Sequence, residues 1–468
     1  MGLVQVVDFL LDSRLNRRIK GFYLKSTHDF CYFDGEITKY FVYLQTETSK
    51  KTTEMKKTIW MIAISALLCA CSGKNAKQQG ADETTSGDTI AAVTVKYATG
   101  FTVRDSAGIH LVDVGKNDHF ALVSADDVAV PDGYTKIRVP IKNTICMTAL
   151  QLSNFTILDA HDVVKGLTGT KNLFNKDILA RVKDGRIVKI GMEGNFDNEM
   201  VLAANPDVIF ISPSKRGGYD ARKETGITLV PHLGYQELDP LGQAEWIKFL
   251  AMFIGKEKEA HEVFAGIESR YNELKAKCQQ LTANGQKPTV LSGEMHYGNW
   301  HAVGGKNYLA QIFRDAGADY VIHDEETAGE NLEFEKMYEL AANADYWRIL
   351  NSHPGEFSYE ALKASEPRNE LFKAYKERKV IYCNMKQTPY YEISPVEPDV
   401  LLKDFVAIFH PELVEADYQP TFYCLLNETN ATTYFSACRS NSYHGHRQPA
   451  HRLRQDTSSK HLSYIGGR

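Results

Sequence analysis

The stretch Asn198-Glu-Met-Val-Leu-Ala-Ala-Asn-Pro-Asp-Val-Ile-Phe210 decides the fold, because its pattern occurs twice in the chain. Residues 335–347 repeat it as Glu-Lys-Met-Tyr-Glu-Leu-Ala-Ala-Asn-Ala-Asp-Tyr-Trp. Each copy predicts a short helix that opens near a glutamate, ends at an asparagine and leads through an aspartate into an apolar strand. The repetition indicates two α/β lobes of similar build.

Apolar runs alternate with helical stretches on both sides of the repeated pattern. Continuous runs rich in Val, Ile and Phe, separated by helices, are typical of parallel sheets covered on both faces. The predicted strands of the two lobes lie at residues 145–149, 186–191, 207–212, 228–231, 289–295, 319–322, 346–351 and 379–384.

A single long helix is predicted between the lobes. From Val263 to Leu281 the apolar residues follow one helical stripe, and Asn284-Gly285 supplies a stop. A helix from about residue 256 to 281 would be about 40 Å long. Residues 92–140 predict a small β-meander before the first lobe. The predicted fold is therefore α/β, with two Rossmann-like lobes containing parallel sheets, one joining helix and an N-terminal β-meander.

Residues 55–71 have the pattern of a secretory signal peptide. Two lysines follow Met55, an apolar run spans Ile59 to Leu68, and small residues precede Cys71. The apolar run is about ten residues, whereas a membrane span needs about 20. The ending resembles a bacterial lipobox, so we expect Cys71 to be lipidated and residues 72–90, which are polar, to form a flexible tether.

The two ends of the chain do not fit this arrangement. Residues 1–54 precede the signal, and a signal in that position would not be processed, so we expect a non-native upstream extension rather than a cytoplasmic one. Residues 427–468 are basic, lack apolar periodicity and predict a disordered or readthrough tail. Between them we expect an N-terminal lobe with its meander over 91–255, a linker helix over 256–285 and a C-terminal lobe over 286–426.

Charge and cysteine content narrow the class of partner. The formal net charge of −5 is mild and indicates neither nucleic acid nor an anionic lipid surface as the main partner. The core cysteines lack the C-x-x-C spacing of zinc and redox sites, and buried thiols are expected at Cys146, Cys278, Cys383 and Cys424.

The sequence resembles the periplasmic substrate-binding proteins of ABC importers for iron-siderophores, haem and vitamin B12. The resemblance covers about residues 142–413, and its carriers are the segments 198–210, 226–231, 242–247, 300–305, 314–320 and 343–347. It implies two lobes that hold a ligand in the cleft between them, and a stiff linker helix that keeps closure small. It also implies a monomeric, non-enzymatic protein without a cofactor, which binds a ferric siderophore, haem or cobalamin.

The resemblance also implies partners and a location. The partners are an ABC permease and its ATPase, and the lipid anchor places the protein in the periplasm, with a Gram-negative bacterium as the expected source. By the same resemblance Glu199 and Glu335 dock against permease arginines, where exposed carboxylates would steer and register the complex. The alternative is that each glutamate complements the dipole of its own helix, which is worth about 0.3–1 kcal/mol.

Ligand-contacting residues are expected in loops at the carboxyl ends of the strands. Large planar ligands need aromatic contacts, and acidic chelates favour basic groups. The candidates are Lys215, Arg216, Tyr219, Tyr297, Trp300, His353, Tyr390 and Tyr391. For Tyr297 and Trp300 the alternative is ordinary packing in the core at a strand end.

Two other functions remain open at this point. A transition-metal-ion binding protein would use His296 and His301, but their spacing is not a usual zinc spacing. Ligation of haem by His or Tyr is also possible. An exported α/β lipoprotein enzyme is the second alternative, although Trp300 occupies the position of the first glycine of a phosphate-binding loop and no G-x-S-x-G motif occurs.

Overall fold

The computed structural model describes residues 93–106, 108–192, 195–213, 225–283 and 285–426. The predicted upstream extension, the signal peptide with Cys71, the tether and the C-terminal tail lie outside these residues. Ligand candidates Lys215, Arg216 and Tyr219 also lie outside them. No helix in the described part of the chain is long and apolar enough to cross a membrane.

The chain first forms a four-stranded sheet in the order β1-β2-β3-β4. The first three strands are antiparallel neighbours, which confirms the predicted meander, but the fourth pairs in parallel with β3. One face of this sheet packs Phe101, Val112 and Phe120 into the main core. The strands are β1 (Phe101–Ser106), β2 (Ile109–Val114), β3 (Asp118–Val123) and β4 (Thr135–Arg138).

The first lobe is built on a five-stranded parallel sheet in the order β11-β10-β5-β6-β7. A short antiparallel pair, β8 and β9, precedes the first copy of the repeated pattern. Its elements are β5 (Thr144–Cys146), α1 (Ala149–Ile157), β6 (Val164–Leu167), α2 (Lys176–Lys183), β7 (Val188–Lys189), β8 (Gly191–Met192), β9 (Asn195–Phe196), α3 (Asn198–Ala203), β10 (Val208–Ile211), β11 (Thr228–Pro231) and α4 (Pro240–Ile254). Short 3₁₀ helices lie at His161–Val163 and Gly234–Gln236.

The joining helix α5 (Glu257–Thr282) follows α4 directly. Gly255 permits the turn between them because its φ of 67° lies in the left-handed region that favours glycine. Along α5 the buried residues repeat at helical spacing, and near its middle the hydroxyl of Tyr271 donates to Asp315 in the second lobe at 2.7 Å. The long helix predicted from the apolar stripe is confirmed.

The second lobe contains a five-stranded sheet in the order β15-β12-β17-β18-β19 and a separate three-stranded sheet, β13-β14-β16. The larger sheet is parallel except for its last pair. The elements are β12 (Thr289–Ser292), β13 (Glu294–His296), β14 (Asn299–Val303), α6 (Tyr308–Asp315), β15 (Asp319–Tyr320), β16 (Gly329–Leu332), α7 (Phe334–Ala341), β17 (Tyr346–Asn351), α8 (Tyr359–Ser365), α9 (Lys373–Lys376), β18 (Val380–Asn384), α10 (Tyr390–Ile393), α11 (Pro398–Phe409) and β19 (Cys424–Leu425). Further 3₁₀ helices lie at Pro367–Leu371 and Pro411–Leu413.

The repeated pattern has the same structural role in both lobes. Asp207 accepts hydrogen bonds from the backbone of Lys142 and Asn143 at 2.7 and 2.9 Å, at the start of β5. Asp345 accepts hydrogen bonds from the backbone and hydroxyl of Thr289, both at 2.9 Å, at the start of β12. In each lobe the aspartate directly precedes one strand, β10 or β17. It accepts hydrogen bonds at the start of the neighbouring strand, β5 or β12. The predicted α/β fold with two similar lobes is confirmed.

Two buried glutamates hold the segment that leads into β1. Glu245 on α4 accepts hydrogen bonds from the backbone N–H groups of Lys96, Tyr97 and Ala98 at 2.6–3.0 Å. Glu237 accepts those of the next two residues, Thr99 and Gly100, at 2.9 Å. Because backbone donors that are shielded from water need partners, these carboxylates fix the segment against the first lobe. We call this arrangement the glutamate clasp.

Candidate functional site

Hydrogen-bonded polar side chains gather at the carboxyl ends of the second lobe's parallel strands. Asn351 ends β17 and Asn384 ends β18, and the two are in register. The hydroxyl of Tyr382 donates to Asn351 Oδ1 at 2.8 Å, and Asn384 Nδ2 donates to the backbone oxygen of His353 at 3.0 Å. These contacts hold both asparagines in fixed positions at the edge where ligands bind in open α/β sheets.

Glu294, the first residue of β13, belongs to the same cluster of polar side chains. We call this cluster, with Asn351 and Asn384, the polar group. Asn351 Nδ2 donates to Glu294 Oε2 at 3.2 Å, and His296 Nε2 lies 3.4 Å from Glu294 Oε1. Burial raises the pKa of Glu294, because a shielded carboxylate loses hydration. Its Oε1 makes no hydrogen bond of ordinary geometry among the described residues, and the His296 imidazole lies beside it as a donor group.

The three-stranded sheet β13-β14-β16 has one apolar and one polar face. Met295, Trp300 and Leu332 are cross-strand neighbours on the apolar face. By strand alternation the polar face carries Glu294, His296, Asn299, His301 and Asn331. The rings of His296 and His301 lie edge to face with centroids 5.6 Å apart. The two histidines therefore share one exposed surface, which their spacing alone did not predict.

Tyr297 stands at the tip of the β13–β14 hairpin and is fully exposed. Its φ is 49° and that of Gly298 is 84°. A tyrosine in the left-handed region is unusual and strained, and here its ring gains no packing in return. The role of Tyr297 in ligand binding stays a prediction.

The structure contradicts the prediction that Trp300 contacts ligand. Its side chain has no exposed area, and its Nε1 donates to the backbone oxygen of Ser292 at 3.0 Å. Its ring packs against Trp347 and Phe372 at centroid distances of 5.3 and 5.4 Å. The physical reason is the alternation of β14, which turns Trp300 inward and His301 outward.

Tyr390 is also a core residue rather than a loop residue. It begins α10, is 8% exposed and packs edge-on against Phe422 and Tyr423. The predicted ligand contact of Tyr390 is therefore wrong in this structure, because neighbouring aromatic rings cover its ring. The adjacent Tyr391 is half exposed and remains available.

His353 is partly buried beside the two asparagines. Its Nδ1 accepts a hydrogen bond from the backbone of Gly355 at 3.3 Å, and its ring lies edge-on to Phe357. Since Asn384 also holds its backbone oxygen, His353 is fixed next to the polar group. Its role in ligand binding stays a prediction.

A buried glutamate connects the two lobes, and sequence reasoning did not identify it. Glu392 on α10 accepts hydrogen bonds from the backbone N–H groups of Phe174 and Asn175, the latter at 2.9 Å. It is 3% exposed, and burial raises the pKa of its carboxyl. Residues so distant in the chain give no local signal of contact. This contact joins the lobes in addition to the helix α5.

The two glutamates predicted to dock a partner occupy the same place in their helices. Each is the second residue, Glu199 in α3 and Glu335 in α7, and both are exposed. Glu335 Oε1 lies 2.8 Å from Nη1 of Arg368 in the same lobe. Their position in the first turn also suits the alternative role beside the helix dipole.

The described residues contain no group of three or more His, Cys, Asp or Glu side chains placed to hold a metal ion. The four core cysteines, Cys146, Cys278, Cys383 and Cys424, are buried, as expected.

Comparison with known proteins gives relatives that span both lobes. An uncharacterized lipoprotein of Methanocaldococcus jannaschii is 30% identical over 320 residues, which cover 65% of this chain and 74% of the relative. A second lipoprotein of that organism is 25% identical over 386 residues, covering 78% of this chain and 97% of its own.

Solved structures with low sequence identity were also found. A TroA-like periplasmic binding protein from Veillonella parvula is 18% identical with a TM-score of 0.47, covering 62% of this chain and 95% of its own. A periplasmic haem-binding protein from Pseudomonas aeruginosa is 15% identical with a TM-score of 0.47. The match covers 58% of this chain and 93% of the haem-binding protein.

The family match runs through the first lobe, the joining helix and most of the second lobe. Residues 148–386 match the model of the periplasmic binding protein family. This span contains the polar group, the hairpin and both repeated helices described above. The chain therefore belongs to the periplasmic binding protein family.

Proposed function

We propose that this protein is the lipid-anchored substrate-binding subunit of an ABC importer, and that it captures an iron chelate or cobalamin between its lobes. The observation that carries the proposal is the single family match across both lobes and α5. A two-lobed binder needs both halves and their connection, and this chain has all three. The protein binds and releases its ligand and does not transform it.

The proposed ligand surface combines the hairpin with the strand ends. Tyr297 and Tyr391 offer exposed aromatic faces, and His296 and His301 offer imidazole groups. Such a surface suits a bulky, partly planar chelate, because aromatic faces supply contact area and imidazoles supply hydrogen bonds. Lys215, Arg216, Tyr219 and His353 are proposed to complete the surface with positive charge and further aromatic area.

The proposed partners are a membrane permease and its ATPase. Glu199 and Glu335 are proposed to dock against basic groups of the permease, and Cys71 to carry the lipid that keeps the protein at the membrane, in the periplasm. Charged groups at such an interface mainly set the rate and register of association.

A binding panel tests the proposed function. The purified protein is titrated with haemin, cyanocobalamin, a ferric catecholate and a ferric hydroxamate while intrinsic fluorescence is recorded. We expect submicromolar binding of one ligand class, a free energy of about −8 kcal/mol or better, and no saturable binding of the others. Failure of every class to bind would contradict the proposal.

The substitution Tyr297→Asn, at the tip of the hairpin, should raise stability and weaken ligand binding. Asn-Gly is the favoured pair for a two-residue turn with positive φ, so the free energy of unfolding should rise by about 0.5–1 kcal/mol. Loss of the exposed ring should weaken binding of the panel ligand by about tenfold. Denaturant titration and fluorescence titration measure the two effects. Unchanged affinity would show that Tyr297 does not contact the ligand.

A further inference from the structure

Both partners of the Glu392 contact lie beyond the carboxyl ends of parallel strands. Phe174 and Asn175 belong to the segment that follows β6 in the first lobe, and Glu392 lies on α10, which follows β18 in the second lobe. In open α/β sheets ligands bind outside this end of the strands. The contact between the lobes therefore lies on the same side of the sheets as the proposed ligand surface.

The packing around this contact also joins the two lobes. The helix α10 packs against α1 of the first lobe, and its residues Tyr390, Glu392 and Ile393 are buried. The helix α1 is itself buried from Gln151 to Ile157. An element of the second lobe therefore covers part of the first lobe, and Glu392 lies within this covered region.

Glu392 is held entirely by backbone groups of the other lobe. Its carboxylate accepts hydrogen bonds from the N–H groups of Phe174 and Asn175, and the described residues give it no ion-pair partner. Asn175 is the N-cap of α2, and its side chain accepts the N–H groups of Asp177 and Ile178. The carboxylate thus adds to the capping of α2 from the opposite lobe, where the helix dipole favours a negative charge. Hydrogen bonds to a charged group are stronger than those between neutral groups, so this contact holds the lobes together.

The segment before Glu392 connects this contact to the ligand surface. The preceding residue, Tyr391, is half exposed and is one of the proposed ligand contacts. The backbone oxygen of Asn384 accepts the N–H groups of Gln387 and Thr388, both at 2.9 Å, so the segment between β18 and α10 folds back onto the polar group. A movement of Glu392 away from α2 would therefore also move Tyr391 away from the first lobe.

We propose that Glu392 is a positioning residue for ligand binding, which keeps the two lobes in contact beside their cleft and so slows the release of a bound ligand. The inference rests on the proposed function and adds a second connection between the lobes to the one that α5 supplies. A ligand held between two lobes leaves when the lobes separate, and separation breaks the hydrogen bonds of Glu392. The apparent affinity falls in proportion to the fraction of molecules that hold the binding arrangement, and Glu392 keeps this fraction high without touching the ligand.

The test is Glu392→Gln, which keeps the shape of the side chain. Glutamine offers one acceptor oxygen instead of two and places an amide donor against a backbone N–H group. The probe is the panel ligand that the wild-type protein binds, and its release after rapid dilution is followed by intrinsic fluorescence. We expect the dissociation rate to rise about tenfold, as the loss of a hydrogen bond to a charged group predicts, with a smaller change in the association rate.

Hydrogen exchange tests the contact itself in the absence of ligand. The backbone N–H groups of residues 174–175 should exchange at least about tenfold faster in Glu392→Gln than in the wild type. The N–H groups of residues 142–143, which Asp207 holds within the first lobe, should exchange at the same rate in both proteins. This comparison separates a loss of contact between the lobes from a general loss of stability.

Asp404→Asn is the matched control, because Asp404 is also a buried carboxylate but makes its contacts within one lobe. It accepts the backbone N–H groups of Phe422 and Tyr423 at 2.6 and 3.0 Å. This variant should lower the free energy of unfolding without changing ligand release or the exchange at residues 174–175. Equal acceleration of release in the two variants would overturn the inference.

Failure of this inference differs from failure of the proposed function. If the wild-type protein binds no panel ligand, the proposed function fails and the inference fails with it. If the wild type binds a ligand and Glu392→Gln releases it at the wild-type rate, only the inference fails. Unchanged exchange at residues 174–175 in Glu392→Gln would also overturn it, because the lobes would then be held together without this carboxylate.

Discussion

Replacing Glu245 with alanine is expected to lower the free energy of unfolding by about 3–5 kcal/mol, the usual cost of breaking a buried charged contact. Glu245 has no exposed area. Its carboxylate accepts hydrogen bonds from three successive backbone N–H groups, beginning at Lys96, and lies 2.7 Å from Nζ of Lys248. Alanine would leave these donors without an acceptor and the ammonium group without its counterion.

Denaturant unfolding followed by circular dichroism measures this effect. Glu262→Ala is the matched control, because Glu262 is exposed on α5 and its replacement should change stability by less than about 0.5 kcal/mol. Glu245→Gln should lower the free energy of unfolding less than Glu245→Ala does, because an amide oxygen still accepts some of the hydrogen bonds. A loss of under 1 kcal/mol for Glu245→Ala would mean that the glutamate clasp contributes little.

The clasp has a consequence for an anchored protein. The segment that it holds lies directly before β1, where a lipid-anchored chain would enter the fold. Lys248 also donates to the backbone oxygen of Thr94 at 2.8 Å, so the contacts with α4 reach two residues further towards the N-terminus than Lys96. Fixing this segment on α4 would keep a pull on the proposed tether from reaching the sheet.

The parts of the fold that the sequence predicts are those set by local patterns. The sequence predicts the helix α5 over about residues 256–281, and it spans Glu257–Thr282, because one unbroken apolar stripe determines it. The two lobes follow from the repeated pattern, whose aspartates Asp207 and Asp345 make the same contacts. The helical stripe and the repeated pattern are each legible within one short stretch of sequence, whereas the aspartate contacts reach back 65 and 56 residues.

The parts that the sequence does not predict depend on pairing between strands. The ligand candidates Tyr297 and Trp300 are predicted to lie in a loop after a strand, because the turn at Tyr297 and Gly298 interrupts the alternation on which a strand prediction depends. The structure pairs them as a hairpin, which buries Trp300 and brings His296 beside His301. The parallel pairing of β4 and the contact of Glu392 across the lobes are also long-range, so no local signal marks them.

Acidification from pH 7 to pH 5 is expected to destabilise the protein by about 2 kcal/mol through His232 alone. His232 is fully buried beside Trp246 and Phe249, and neither ring nitrogen has a hydrogen-bond partner among the described residues. Burial lowers the pKa of His232 to about 3, because the charged ring would lose its hydration.

Acidification destabilises the folded protein through His232 because unfolding is accompanied by proton uptake at this residue. Between pH 3 and the ordinary histidine pKa of about 6.5, the unfolded chain binds a proton at residue 232 that the folded chain does not. The stability contributed by neutral His232 is therefore complete above about pH 6.5 and falls by about 1.4 kcal/mol per pH unit below it. Asp404 acts in the opposite direction, since burial raises its pKa to about 6 and the folded state takes up its proton first on acidification.

Because these two contributions oppose each other, only a comparison of variants isolates His232. Unfolding free energies of the wild type and His232→Leu, each measured at pH 7 and pH 5, give the difference directly. The wild type should lose about 2 kcal/mol more than the variant over this interval. His261→Leu, at an exposed position of α5, controls for removing a histidine as such. An identical pH dependence for wild type and His232→Leu would mean that His232 acquires a partner or water in solution that this fold does not provide.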